Sequence, residues 1–215
     1  ASESLGNRII LGPTGTAQAE IAFYDKVRHR IDIEAPVGIH GAFDSDSFSY
    51  LQMMQDLTER ANFCSEATPI DRDRAEQMVR LLARLHSSFA DSSELGGAAL
   101  PYRSWPDWWA NMMTQSPDFG SSCDRAFDIA ARIVPPGIML RRAEIWPLTG
   151  QSVEKHRGMT RSLIHCDCHL KNWYLTNDGR MGLGDWQIVT IGHWSRDFIY
   201  AITTALRVED RRAWL

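Results

Sequence analysis

The order of patterns along the chain predicts an α+β fold with a mostly helical second part, and three stretches carry that expectation. Residues 37–43 and 48–54 are short apolar or alternating runs separated by Asp44-Ser-Asp-Ser47, the composition of a β-hairpin. Residues 70–89 place Met78, Val79, Leu82, Leu85, His86 and Phe89 on one stripe at helical spacing. Residues 173–175 and 181–183 flank Asn177-Asp178-Gly179, residues that tolerate the positive φ of a tight turn, so a second, smaller hairpin is expected there. Strands and helices segregate instead of alternating, which argues for α+β over a parallel α/β sheet.

Taken in order, residues 1–15 are rich in Gly, Ser and Pro around Ile9-Ile10-Leu11. Gly12-Pro-Thr-Gly15-Thr lacks the Gly-Lys-Ser/Thr ending of a phosphate loop and reads as a loop leading into a helix. From residue 17 to about 30, Ile21, Tyr24, Val27 and Ile31 recur at near-helical spacing, with Glu20 near the start. Glu20 is either a solvated first-turn acid, favoured by the helix dipole, or an inward-facing partner for a lysine. After the first hairpin, Gln55-Asp56-Leu57 leads into helical territory and marks a boundary between residues 1–57 and 58–215.

In the second part, Asp71 suits the N-cap of the 70–89 helix, and His86 on its apolar face reads as a core histidine. Ser104 and Pro106 open another helix whose Trp105, Trp108, Trp109, Met112 and Met113 either fill the core or line an apolar pocket. Amphipathic residues 122–134 end at Pro135-Pro-Gly137, a further helix is expected over about 138–148, and residues 152–160 read as a polar approach to the small hairpin. Beyond that hairpin come a β-rich run at 188–193, a helix at 195–206, and a terminal stretch from Val208 that stops inside a helical pattern. With no initiating Met either, a fragment or missing flanking segments are expected.

Composition narrows the function classes. The 215 residues, 44% hydrophobic and 23% charged, suit a soluble globular protein. A net charge of −4 gives no nucleic-acid footprint, and no apolar run approaches the ~20 residues of a membrane span. Four cysteines make no disulfide framework, so a cytoplasmic location is expected.

The chemistry concentrates in His165-Cys-Asp167-Cys-His-Leu-Lys-Asn172, the hairpin, and Asp185-Trp186. A hairpin holds its flanking loops side by side, so Asp167 and Asn172 before it should meet Asp185 after it. A carboxylate plus an amide carbonyl is a typical Mg²⁺ donor set, which leaves the other carboxylate to orient a hydroxyl and take its proton. Zinc would want two ligand pairs separated by a folded stretch, whereas His165, Cys166, Cys168 and His169 lie within five residues.

His165-x-Asp167-x-His169-x-x-Asn172, followed by Leu-Gly-Asp185-Trp186-Gln187, resembles the catalytic and metal-binding loops of the protein-kinase-like fold. More specifically it resembles the aminoglycoside phosphotransferase superfamily and its small-molecule kinase relatives, the choline-kinase-like and ecdysteroid-kinase-like proteins. Glu20-Ile-Ala-Phe-Tyr24, Met54-Gln55-Asp56-Leu57, Leu82-Ala-Arg-Leu-His86 and Arg196-Asp197-Phe-Ile-Tyr200 are similar to further landmarks of that family, in the right order. The resemblance implies a two-lobed protein-kinase-like fold with residues 1–57 as an incomplete N-lobe. It implies a mostly helical C-lobe over 58–215, with a small catalytic hairpin and a truncated end.

The resemblance also implies ATP or GTP and Mg²⁺ as cofactors and a small-molecule alcohol as acceptor. Asp167 would be the catalytic base, His165 a support for its loop, and Asn172 and Asp185 the Mg²⁺ ligands. Glu20 would pair with a nucleotide-binding lysine, and the backbone of Met54, Gln55, Asp56 and Leu57 would meet the base. Asp197 would brace the catalytic loop. Cys166 stands where the family usually has Gly, and Lys171 where a small residue is common. The phosphate loop and lysine strand expected upstream of Glu20 are not in this sequence, whose lysines are Lys26, Lys155 and Lys171. A nucleotide- or ligand-binding pseudokinase is therefore the alternative to an active enzyme. A protein kinase is disfavoured, since little chain separates Asp185 from Arg196-Asp197.

Overall fold

A computed structural model describes residues 12–214. Ile9-Ile10-Leu11 lies outside the described residues. Gly12–Thr14 forms a tight turn that runs into helix α1, Thr16–Ala22, so the Gly-Pro-Thr-Gly stretch is a helix entry. The helical path then widens into a π-turn, Phe23–Val27, and tightens over Arg28–Arg30. Of the expected stripe Tyr24, Val27 and Ile31 are buried, while Ile21 is only partly so; Phe23, outside that stripe, is buried with them. Strands β1 (Gly38–Phe43) and β2 (Tyr50–Met54) form the first hairpin, pairing Gly41 with Gln52 and Phe43 with Tyr50. Asp44 closes its turn by accepting from the Asp46 N–H at 2.9 Å and the Ser47 hydroxyl at 3.0 Å. A Cβ at Gly38 would stand 2.5 Å from Tyr24, so glycine lets the strand lie directly against α1.

Strand β3 (Ala61–Phe63) follows, then α2 (Arg72–Ser88), α3 (Trp105–Gln115), α4 (Phe119–Ile129), α5 (Pro136–Leu140) and α6 (Arg142–Lys155). Asp71 caps α2 by accepting the Arg74 N–H, and Ser104 caps α3 by accepting the Asp107 N–H, as their sequences predict. The helix expected over 138–148 is in fact two, broken at Arg141, and the second continues to Lys155 through residues that read as polar loop. Trp146, inside it, packs on Trp109 and Phe119, contacts that a single-helix pattern does not show.

The remaining strands are β4 (Ser162–Ile164), β5 (Trp173–Thr176), β6 (Met181–Leu183) and β7 (Thr190–Gly192), followed by α7 (Ser195–Ala205) and α8 (Val208–Trp214). They make a three-stranded sheet in the order β3-β5-β6 and a separate β4–β7 pair, all antiparallel. The β5–β6 hairpin lies where its turn signal put it. Strands β3 and β4 have three residues each and no period of their own; they exist because β5 and β7 supply their partners.

The main core runs from the α1 path through α2 to the β5–β6 hairpin and α7. At its centre Phe23 stacks on Trp186, ring centroids 3.7 Å apart and planes 5° apart, joining the first helix to the loop after β6. Tyr174 lies flat across Gly182, where a Cβ would come within 2.3 Å of its ring. Gly182→Ala is therefore expected to destabilise the fold by about 1–3 kcal/mol through overpacking, measured by chemical denaturation. Wild-type stability in that variant would show that the ring has room to move. Among the described residues, no helix is long and apolar enough to cross a membrane.

Candidate active site

Two loops meet at the open end of the β5–β6 hairpin: residues 165–172 enter β5 and residues 184–189 leave β6. A single buried histidine joins them. His165 Nδ1 accepts the Asp167 backbone N–H at 3.2 Å, and its Nε2 donates to the Gly184 carbonyl at 2.9 Å. An amide N–H only donates and a carbonyl only accepts, so this pair of bonds fixes the Nε2-protonated tautomer. Burial holds the imidazole below its usual range, against the pull of Asp197 and the Gly184 bond, which keeps the ring neutral. A second strap runs from the Gly184 N–H to the Asn172 carbonyl at 2.8 Å. His165 thus ties the two loops together through main-chain atoms of each.

Asp167, Asn172 and Asp185 are brought to this one end of the hairpin. The Asn172 amide donates to the Asp167 carbonyl at 2.8 Å and stands 3.4 Å from Asp167 Oδ2. That leaves the Asn172 Oδ1 an unspent acceptor among the described residues. Asp185 sits in the left-handed region at φ 59°, and Gln187 donates to its Oδ1 at 2.6 Å. Cys166 is also left-handed, φ 67°, which explains why glycine is natural at that position; a cysteine there costs about 1 kcal/mol. Lys171 carries its charge away to Glu66 at the surface.

Asp197, fully buried at the start of α7, overdetermines that strained backbone. Its carboxylate accepts the His165 N–H at 2.7 Å, the Cys166 N–H at 2.8 Å and His86 Nε2 at 2.9 Å. Burial alone would push this acid up; the hydrogen bond from His86 and the attraction of His86 and His165 outweigh it and hold it below the usual carboxylate range. His86 is thus a satisfied core histidine. The zinc-like residues are likewise spoken for: His165 uses both ring nitrogens, and Cys166 Sγ lies 3.0 Å from the Thr190 hydroxyl. Burial raises both the Cys166 and Cys168 thiols, which disfavours the thiolates zinc needs.

Glu20 comes down from α1 onto the same loop. Burial first, then the charge of Asp185, pushes it up to about 7, against a smaller opposing pull from the Trp186 backbone N–H. Between about pH 4.5 and 7 the folded chain then holds a proton that the unfolded chain releases, so stability falls as pH rises through that window. In metal-free buffer, Glu20→Gln is expected to be more stable than wild type by about 1–2 kcal/mol at pH 8 and equal to it near pH 4.5. Parallel thermal-melt curves from pH 4.5 to 8 would contradict the Glu20–Asp185 juxtaposition.

The hinge residues connect β2 to β3. Met54 ends β2, the Gln55 N–H is spent on the Val37 carbonyl, and the Leu57 carbonyl receives the Arg60 and Ala61 amides. Asp56 turns its side chain onto Thr58. Among the described residues this leaves the Gln55 carbonyl and the Leu57 N–H unpartnered, an acceptor and a donor two residues apart.

Sequence reasoning passed over three side chains around Asp167. His169 Nε2 lies 3.7 Å from Asp167 Oδ2. Burial first, then the charge of Asp167, raises the Tyr200 hydroxyl. Arg196 lies over both the Tyr200 and Trp105 rings. Their signal was present: His169 is two residues from Asp167, and Tyr200 is one helical turn from Asp197. Of the tryptophans, Trp105 and Trp108 are buried in a cluster with Ile164 and Cys166, so they are core. Trp109 is partly exposed beside Phe119 and Trp146.

A helix braced on a two-stranded hairpin, a hinge, and a helical body carrying a polar loop pair define a protein-kinase-like fold. Residues 10–215 match APH, the phosphotransferase enzyme family, and the chain belongs to that family. Among solved structures it is similar to choline kinase LicA from Streptococcus pneumoniae, TM-score 0.55 at 13% identity, over 100% of this chain and 64% of that one. It is also similar to macrolide 2'-phosphotransferase MphH from Brachybacterium faecium, TM-score 0.50 at 12% identity, over 94% of this chain and 64% of that one. The chain thus spans 64% of the length of each of these two proteins, and at such identities the likeness is one of fold. A comparison with curated proteins gives no match.

Proposed function

We propose that this protein transfers the γ-phosphate of ATP or GTP to a hydroxyl of a small molecule. The observation that carries this reading is the His165 bridge, which holds Asp167 and the Asp185 loop at one end of the β5–β6 hairpin. In this reading Asp167 accepts the proton of the acceptor hydroxyl, which needs a carboxylate in a fixed orientation next to the transferred phosphoryl group. Asn172 Oδ1 and the Asp185 carboxylate are oxygen donors of the kind Mg²⁺ prefers, and they would hold it together with phosphate oxygens. Mg²⁺ would neutralise phosphate charge there. The Gln55 carbonyl and Leu57 N–H offer a purine edge an acceptor and a donor. In this reading a lysine ammonium beside Glu20 and Asp185 would relieve the repulsion between the two acids.

Family membership and the order of landmarks support the phosphotransferase class; the choice of nucleotide, the metal and the acceptor are parts of the proposal. The aromatic cluster of Trp109, Phe119 and Trp146 suits a neutral or apolar alcohol as acceptor better than a polycation. The test is transfer from labelled ATP or GTP, with and without Mg²⁺, across a panel of small alcohols. Mg²⁺-dependent transfer to at least one acceptor is expected. Nucleotide-induced stabilisation with no transfer and no hydrolysis would favour the pseudokinase reading instead.

A further inference from the structure

The peptide unit joining Cys166 to Asp167 is pinned at both of its polar ends. Its N–H is held by His165 Nδ1 at 3.2 Å, and its carbonyl accepts from Arg196 Nη2 at 3.2 Å. The guanidinium that does this is sandwiched: its carbon lies 5.0 Å from the Trp105 ring centre on α3 and 4.9 Å from the Tyr200 ring centre on α7. Two aromatic faces hold a planar cation in plane as well as in place, which a lysine could not reproduce. Tyr200, one face of this stack, also lies edge-on to the His169 ring, centroids 6.2 Å apart. Arg196 Nε is buried without a partner, a cost that would be removed by any rotamer turning the group outward; the stacking keeps it in.

We propose that Arg196 is a positioning residue that orients Asp167, and that Tyr200 and Trp105 position it in turn. Arg196 sets the plane of the peptide entering Asp167, and the two rings hold its guanidinium. Trp105 links this clamp to α3. The proposal rests on the reading of Asp167 as the base. Its effect should fall on the chemical step with acceptor, since neither Arg196 nor Tyr200 faces the hinge.

The experiment compares Tyr200→Leu, Arg196→Lys and Asp167→Asn in steady-state transfer, nucleotide hydrolysis and thermal melting. Tyr200→Leu removes one of the two faces that hold the guanidinium and leaves Arg196 in the chain. It is expected to lower kcat for transfer roughly 5- to 10-fold, with nucleotide KM within about 2-fold of wild type. Arg196→Lys should lower kcat about 10- to 100-fold, as a misplacement near 1 Å does. In both, the ratio of transfer to hydrolysis should fall, which a merely structural role would not produce. Wild-type kcat and ratio in both variants, with Asp167→Asn inactive, would overturn the clamp and leave the base assignment standing. Loss of kcat only in proportion to lost folded protein would also overturn it. Undiminished transfer in Asp167→Asn would overturn both readings together.

Discussion

Asp167→Asn is expected to lower kcat for phosphate transfer by about 10²–10⁴-fold while leaving nucleotide affinity within about 2-fold of wild type. The substitution is nearly isosteric and removes the proton acceptor. The Asp167 backbone keeps its bonds to His165 Nδ1 and to the Asn172 amide, because both use main-chain atoms. The loop should therefore hold its shape, and a loss of activity would report on chemistry. The carboxylate contacts put at risk are the long one from Asn172 Nδ2 to Asp167 Oδ2, 3.4 Å, which an amide can still accept through its oxygen, and the 3.7 Å approach of His169 Nε2. Steady-state kinetics together with a nucleotide-binding titration check this. Equal activity in the variant would remove Asp167 from the role of base.

Asp197→Ala should be the most damaging single change to stability, by about 3–5 kcal/mol. It strands three buried groups at once: the His165 and Cys166 amides and His86 Nε2. Neither amide can turn to another partner, since Cys166 is held at φ 67° within a fully buried turn. At roughly 2–4 °C per kcal/mol for a chain of this size, the melting temperature should fall by about 6–20 °C. The pH dependence has a definite sign. Asp197 has a depressed folded-state pKa, so its contribution is present above the usual carboxylate range and is lost as pH falls through the folded value. The gap between wild type and Asp197→Ala should therefore narrow at acid pH. A gap that stayed constant down to pH 2.5 would show that Asp197 does not act as a buried carboxylate.

The two experiments separate the layers of the site. On the proposed reading Asp167 belongs to the chemistry, whereas Asp197 belongs to the scaffold that lets a cysteine occupy a left-handed position beside it. Arg196 and Tyr200 lie between these layers, on the same helix as Asp197 and in contact with the Asp167 loop.

Much of this was legible in the sequence because it depends on short-range chemistry. The β5–β6 hairpin follows from Asn177-Asp178-Gly179, the caps from Asp71 and Ser104, and the meeting of Asp167, Asn172 and Asp185 from the geometry of a hairpin. The sequence by itself also determined which acids and amides flank the hairpin, since Asp167 and Asn172 precede its turn and Asp185 follows it. Only the tertiary structure decided the rest. Strands β3 and β4 are too short to have a period and are induced by their partners. The Phe23–Trp186 stack, the approach of Glu20 to Asp185, and the Arg196 sandwich all join residues far apart in the chain. Burial gives each of these its meaning: it lifts Glu20 to about 7 and keeps His165 neutral. It also makes Asp197 a three-fold acceptor, and desolvation by distant elements is not written in any local pattern of residues.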